Sequence, residues 1–171
     1  MSTFILDFEG LYNKEDAKFY IQEFAYFEID TNECKNYFLS MPANFDYNKH
    51  EHIYKNINYI PPDYGTTKFN KIIEFLQQNA IFFIKGDLKF NFLKKITKSH
   101  VINLKQFMCP NLTSLSISSE LKCSFIRHYG INNCALNKVV KLAAWFKKNK
   151  ISNKLLIVLL NKYFGIKESN N

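Results

Sequence analysis

Between Phe4 and Met41 the apolar stretches all have strand character, and only from Thr67 onward do apolar residues recur at helical spacing. Phe4-Ile5-Leu6-Asp7-Phe8-Glu9-Gly10 is an apolar run that ends in alternation, as a buried strand does where it emerges at a sheet edge. Asn13 to Asp16 reads as a turn. Lys18 to Asp30 alternates, with Phe19, Ile21, Phe27 and Ile29 in its apolar set, and Asn36 to Met41 is a further strand that Pro42 stops. Three strands at such short spacing predict an antiparallel meander.

Helices and single strands then take turns. Asn44 to Thr67 has no sustained period and reads as a long loop. Thr67 is placed to cap a helix that carries Phe69, Ile72, Ile73 and Leu76 and ends near Asn79. Ala80 to Ile84 is continuously apolar, as a buried parallel strand is, and Lys85-Gly86-Asp87 turns it into a helix with Leu88, Phe92 and Ile96. His100 to Leu104 is a fifth strand, followed by an irregular Ser-rich stretch from Cys109-Pro110 to Ser119. A helix begins near Asn133 with Leu136, Val139, Val140, Ala143 and Phe146 on one face, and a last helix spans about Asn153 to Phe164. The order βββαβαβα with an extra C-terminal helix predicts an α/β fold, a mixed five-stranded sheet with helices on its faces. No linker or repeat interrupts it, so residues 1–171 are expected to form a single domain.

A hydrophobic content of 47% excludes a disordered chain. The formal charge of +8 and pI near 9.2 favour a polyanionic partner, RNA or DNA, because lysine contacts to phosphate release counterions. Arg127 is the only arginine, which fits AT-rich coding better than selection for bidentate phosphate forks. The first apolar stretch is interrupted by Asp7 and Glu9 and has no basic leader, and the longest apolar run, Leu155 to Leu160, is too short to span a bilayer. The expectation is an intracellular protein, cytoplasmic or nuclear, with no membrane partner.

On a strand, Asp7 and Glu9 share one face roughly 7 Å apart at Cα, while Phe8 points to the other. Two oxygens so placed can reach one hard cation, and two-metal phosphoryl transfer uses carboxylates set in this way. A pair of ordinary charges at a strand end is the plainer alternative. From Phe4 to about Lys148 the chain resembles the RNase H-like DEDD 3′-5′ exonucleases, which open on a strand bearing Asp-x-Glu and share this element order. It is also similar to exonuclease-like proteins of insect viruses and mobile elements.

The resemblance implies Mg²⁺ or Mn²⁺ on Asp7 and Glu9. It implies a second acid in the helix after the fourth strand, where Lys89 stands in that register and Asp87 is near. It implies a third motif at His128 and Asn133, which matches the family's His followed five residues later by Asp in all but the acid. His128 would be the general base. With Lys89 and Asn133 at acidic positions the metal site would carry little negative charge, which leaves open a pseudonuclease that keeps the fold to bind nucleic acid or a protein partner.

Other residues have readings of their own. Cys109, Cys123, His128 and Cys134 form a candidate Cys₃His zinc set without a Cys-x-x-Cys knuckle, set against reduced core thiols. Zinc there would remove His128 as a base. Lys85, Lys89, Lys138 and Lys141, with Tyr59 and Tyr64 of the long loop, are candidate phosphate and base contacts, set against solvated surface charge and ordinarily packed tyrosines. Three functions therefore stand open: an exonuclease acting on RNA or DNA ends, a pseudonuclease, and a zinc-bearing structural domain.

Overall fold

A computed structural model of the chain describes residues 1–13, 18–40, 67–115 and 134–149. Its elements are β1 (Ser2–Asn13), β2 (Lys18–Glu28), β3 (Cys34–Phe38), α1 (Phe69–Leu76), β4 (Ala80–Ile84), α2 (Asp87–Ile96), β5 (His100–Asn103) and α3 (Ala135–Lys148), with 3₁₀ turns at Leu104–Phe107 and Leu112–Ser114. The expected βββαβαβα order is present. The Asn13–Asp16 turn beyond its first residue, the long loop up to its last residue, the final helix and the end of the Ser-rich stretch lie outside the described residues.

The five strands form one mixed sheet in the order β3-β2-β1-β4-β5. β1 and β2 are antiparallel, as are β2 and β3, whereas β4 runs parallel to both β1 and β5. Strand alternation divides the core between the two faces. Phe4, Leu6 and Phe8 of β1 pack with Phe24, Phe82 and Leu76 and with Leu93 of α2, while Ile5 packs with Phe83, Leu142 and Phe146 beneath α3. Burying one Phe side chain contributes about 1.5–3 kcal/mol, so Phe8, Phe24, Phe82 and Phe83, all fully buried, are principal contributors.

One irregularity sets the phase of β2. Glu9 pairs with Glu23 but Gly10 pairs with Ile21, so Gln22 is the extra residue of a β-bulge. The bulge turns Phe19 and Ile21 toward the α1–α2 face and Phe27 and Ile29 toward the α3 face, so the single alternation expected across Lys18–Asp30 is in fact split. Gly10 permits the close approach, since a Cβ there would stand 2.0 Å from the Tyr20 carbonyl oxygen. Gly10→Ala is expected to lower stability by about 2–3 kcal/mol, the upper range for overpacking. A urea midpoint equal to the parent's would show that the bulge yields freely.

Several boundaries and faces differ from the sequence expectation. Thr67 does not cap α1: its backbone bridges β3's continuation, accepting from Ser40 N–H and donating to the Phe38 carbonyl, and Lys68 takes the cap position without a side-chain bond. α1 stops at Leu76 rather than near Asn79, and β3 begins at Cys34 and ends at Phe38. In α2 the buried residue is Leu93, whereas Leu88 is exposed. In α3 the buried apolar residues are Ala135, Val139, Leu142, Ala143 and Phe146, with Leu136 and Val140 partly exposed. Among the described residues no helix is long and apolar enough to cross a membrane.

Candidate functional site where the first strand outruns the fourth

β4 pairs with β1 only from Ser2 to Ile5, so beyond Ile5 β1 runs on past the end of its parallel neighbour. Asp7 and Glu9 lie on this overhang. The chain builds the sheet outward from β1 in one direction through β2 and β3 and in the other through β4 and β5, so the gap between β1 and β4 is the topological switch point. Ligands of open α/β sheets bind at that place, outside the carboxyl ends of the strands.

As the alternation requires, Phe8 enters the aromatic core while Asp7 and Glu9 share the opposite face. Lys89 rises from the first turns of α2 beside the Phe8 ring, 5.4 Å from its centroid. Its ammonium donates to Asp7 Oδ1 at 2.8 Å and to Glu9 Oε1 at 2.7 Å. Lys138 of α3 donates to the same Glu9 oxygen at 2.6 Å. Two carboxylates and two ammoniums thus form one compact cluster, with Asp7 almost wholly buried and its Oδ2 without a hydrogen-bond partner among the described residues.

Electrostatics separate the two acids. Burial is the largest influence on Asp7; together with repulsion from Glu9 it outweighs the attraction of Lys89 and Lys138 and pushes the carboxyl from 3.8 up to about 7. Glu9 is also penalised by burial, but the hydrogen-bonded Lys89 and Lys138 ammoniums hold it below the usual glutamate value. Lys89 is desolvated too, yet Asp7 and Glu9 keep its pKa above the usual lysine value.

An acid whose pKa rises on folding contributes stability that is fully present below its unfolded value and is lost as pH climbs through the folded one. For Asp7 that window runs from 3.8 to about 7. Asp7→Asn is therefore expected to lose less stability than the parent between about pH 4 and pH 8, read by urea denaturation across the series. Parallel stability curves for the two proteins would refute the assignment.

Glu23 is a site residue that sequence reasoning missed. Directly across the ladder from Glu9 and fully buried, it accepts from Ala135 N–H at 2.9 Å, from Asn36 Nδ2 at 3.0 Å and from Cys134 Sγ at 3.3 Å. It is the anchor of the α3 N-terminus, where an anion also meets the positive end of the helix dipole. The cap residue Cys134 supplies no side-chain bond to the helix. The available signal was an acid in the middle of an interior strand rich in aromatics, where an unpaired carboxylate is too costly to leave.

The remaining residues singled out from sequence fall elsewhere. Asp87 is exposed, bonded to Lys105 and at 2.9 Å to Asn103 Nδ2, and the Lys105 hydrogen bond holds its carboxyl below the usual value. Lys85 donates to the Cys109 carbonyl, and buried Lys141 to the Leu112 carbonyl at 3.5 Å. Cys109 and Cys134 are buried thiols outside any disulfide, Cys109 Sγ lying against the Pro110 carbonyl. His128, Asn133, Cys123, Tyr59 and Tyr64 lie outside the described residues.

Among the described residues no group of three or more His, Cys, Asp or Glu side chains is placed to hold a metal ion. One oxygen of each acid, Asp7 Oδ1 and Glu9 Oε1, is bonded to an ammonium, and the Lys89 ammonium bridges the two acids where a divalent ion shared by the pair would sit. So arranged, the pair does not fit such an ion. What it can do chemically is hold positive charge at a fixed point against the switch-point gap. No protein-family model, curated protein or solved structure matches this chain.

Proposed function

We propose that this chain is an RNase H-like, nuclease-derived domain that binds RNA or DNA without cutting it, its cation site filled by its own lysines. The observation that carries the reading is Lys89, whose ammonium lies within hydrogen-bond distance of both Asp7 and Glu9. The resemblance expects an acid in that helix, and a lysine in its place supplies within the chain the charge that a metal ion would otherwise bring. The strand order and the position of the Asp-x-Glu pair at the switch point support descent from the RNase H-like exonucleases. The charge of +8 supports a polyanionic partner. An intracellular setting, cytoplasmic or nuclear, accords with this reading.

A second reading is an active 3′-5′ exonuclease dependent on Mg²⁺ or Mn²⁺. It draws on Asp7 and Glu9 sharing one face where β1 runs past the end of β4 and requires both ammoniums to be displaced. The two are separated by incubating end-labelled single- and double-stranded RNA and DNA with either ion, in parallel with filter binding. The expected result is salt-sensitive retention with full-length label for both the parent and Asp7→Ala/Glu9→Ala. Metal-dependent shortening by the parent that the double substitution abolishes overturns the proposal in favour of the enzyme, and absence of binding to every nucleic acid overturns both.

A further inference from the structure

We propose that the groove between the C-terminal half of α3 and the Leu112–Ser114 turn is a subsite for one nucleobase and its adjoining phosphate, with Trp145 stacking the base. The inference rests on the nucleic-acid reading above and names the part of the surface that touches a base.

The groove has a volume of about 330 Å³, at the lower end of the roughly 300–1,000 Å³ typical of small-ligand pockets and of a size suited to one planar group. Trp145 and Lys148 of α3 and its cap residue Asn149 line one wall, and Ser114 and Leu115 the other. Trp145 is held by its own packing, half-buried against the cluster that contains Phe83 and Phe146. A ring fixed in this way can accept a base without losing much side-chain freedom, and stacking on it is indifferent to base identity. Lys141 ties the walls together, since its ammonium crosses to the Leu112 carbonyl. Lys148 is exposed at the edge of the groove, where a phosphate attached to the stacked base would meet it.

Register on the helix links this groove to the carboxylate cluster. Lys138, Lys141, Trp145 and Lys148 stand at i, i+3, i+7 and i+10, one face of a helix of 3.6 residues per turn. Lys138 at one end bonds Glu9, and Trp145 lies two turns further on, about 10 Å along the axis. A single strand laid along α3 would therefore pass the Glu9-paired ammonium of Lys138 at one end and meet an aromatic face and the exposed Lys148 at the other. An acidic peptide would also be drawn to the lysines, but it brings no planar group for Trp145.

Trp145 is the chain's one tryptophan, so its fluorescence reports on this groove directly. The full chain is titrated with a single-stranded oligonucleotide of about eight residues, with adenosine monophosphate and with polyglutamate, and filter binding is measured in parallel. The oligonucleotide is expected to quench the emission. Trp145→Leu should weaken binding by about fivefold or more, the smallest effect of one lost base stack, and Trp145→Phe should recover most of it. Lys148→Gln should lower the salt dependence of binding by about one phosphate contact while the protein stays folded, which keeps the test decisive if Trp145→Leu does not fold. Equal quenching by the mononucleotide identifies a free nucleotide as the source of the same base and phosphate.

Oligonucleotide binding that leaves the emission unchanged, with Lys148→Gln keeping the parent's salt slope, overturns the subsite and leaves the nucleic-acid reading standing. Absence of oligonucleotide binding by either assay overturns both. Quenching by polyglutamate without quenching by the oligonucleotide overturns the subsite in favour of an acidic protein partner.

Discussion

Lys89→Met is expected to destabilise the fold by about 3–5 kcal/mol at pH 8, the usual cost of removing one partner from a buried ion pair. Methionine fills most of the lysine's volume and preserves contact with the Phe8 ring, so the loss reports on charge and not on packing. Asp7 and Glu9 would then face each other on one strand face with Lys138, which bonds Glu9, as the remaining ammonium of the cluster. The penalty should shrink as pH falls toward 5, because Asp7 already sits near neutrality in the parent and loses its charge more readily still once Lys89 is gone. Urea denaturation at both pH values measures the difference. A loss that is the same at pH 5 and pH 8 would mean that Lys89 acts through its hydrocarbon stem. Adding Asp7→Asn to Lys89→Met should restore part of the stability at pH 8, and this coupling isolates the pair from either residue alone.

Glu23→Ala is expected to cost about 2–4 kcal/mol, combining the loss of a helix N-terminal acceptor, which leaves a buried N–H unsatisfied, with the loss of the bonds from its other donors. The donors affected are Ala135 N–H, Asn36 Nδ2 and Cys134 Sγ. Glu23→Gln should cost less than half as much, since its carbonyl oxygen still accepts the Ala135 N–H. Far-UV circular dichroism with urea titration reads both, and equal losses for the two variants would show that volume, not hydrogen bonding, is what Glu23 provides.

How much of this was visible in the residues depended on whether hydrophobicity marked the position. Ala80–Ile84 was legible to the residue because a strand buried on both faces has no polar member and Lys85-Gly86 punctuates its end. The face of α2 was legible in part: Phe92 and Ile96 pack against the core as expected, but the stripe also takes in Leu93 and opens with Lys89, whose ammonium is satisfied by acids some eighty residues earlier in the chain. Leu88, which looked like the start of the apolar stripe, is one residue out of phase and exposed. In β2 the bulge shifts the alternation midway, and no residue of β2 itself signals it; the constraint comes from Gly10 on the neighbouring strand. The Asp7–Glu9 pair was legible as a pair because a strand's period is two, but its partners were not. Lys89 and Lys138 come from opposite helical layers, and their convergence is a property of the fold alone.

That convergence also bears on how the molecule comes apart. α2 lies against the face of the sheet that holds Phe8, and α3 against the face that holds Ile5, yet an ammonium from each ends on the same oxygen of Glu9. Peeling either helix from the sheet would strip a partly buried carboxylate of a counter-charge, so neither layer can open at the low free energy expected of a peripheral helix. Amide protons in the middle of α2 and α3 should therefore exchange with solvent at one shared rate-limiting free energy, as a single cooperative unit. The lysine bridge works as a rivet through the sheet, and its removal would let the two halves breathe independently.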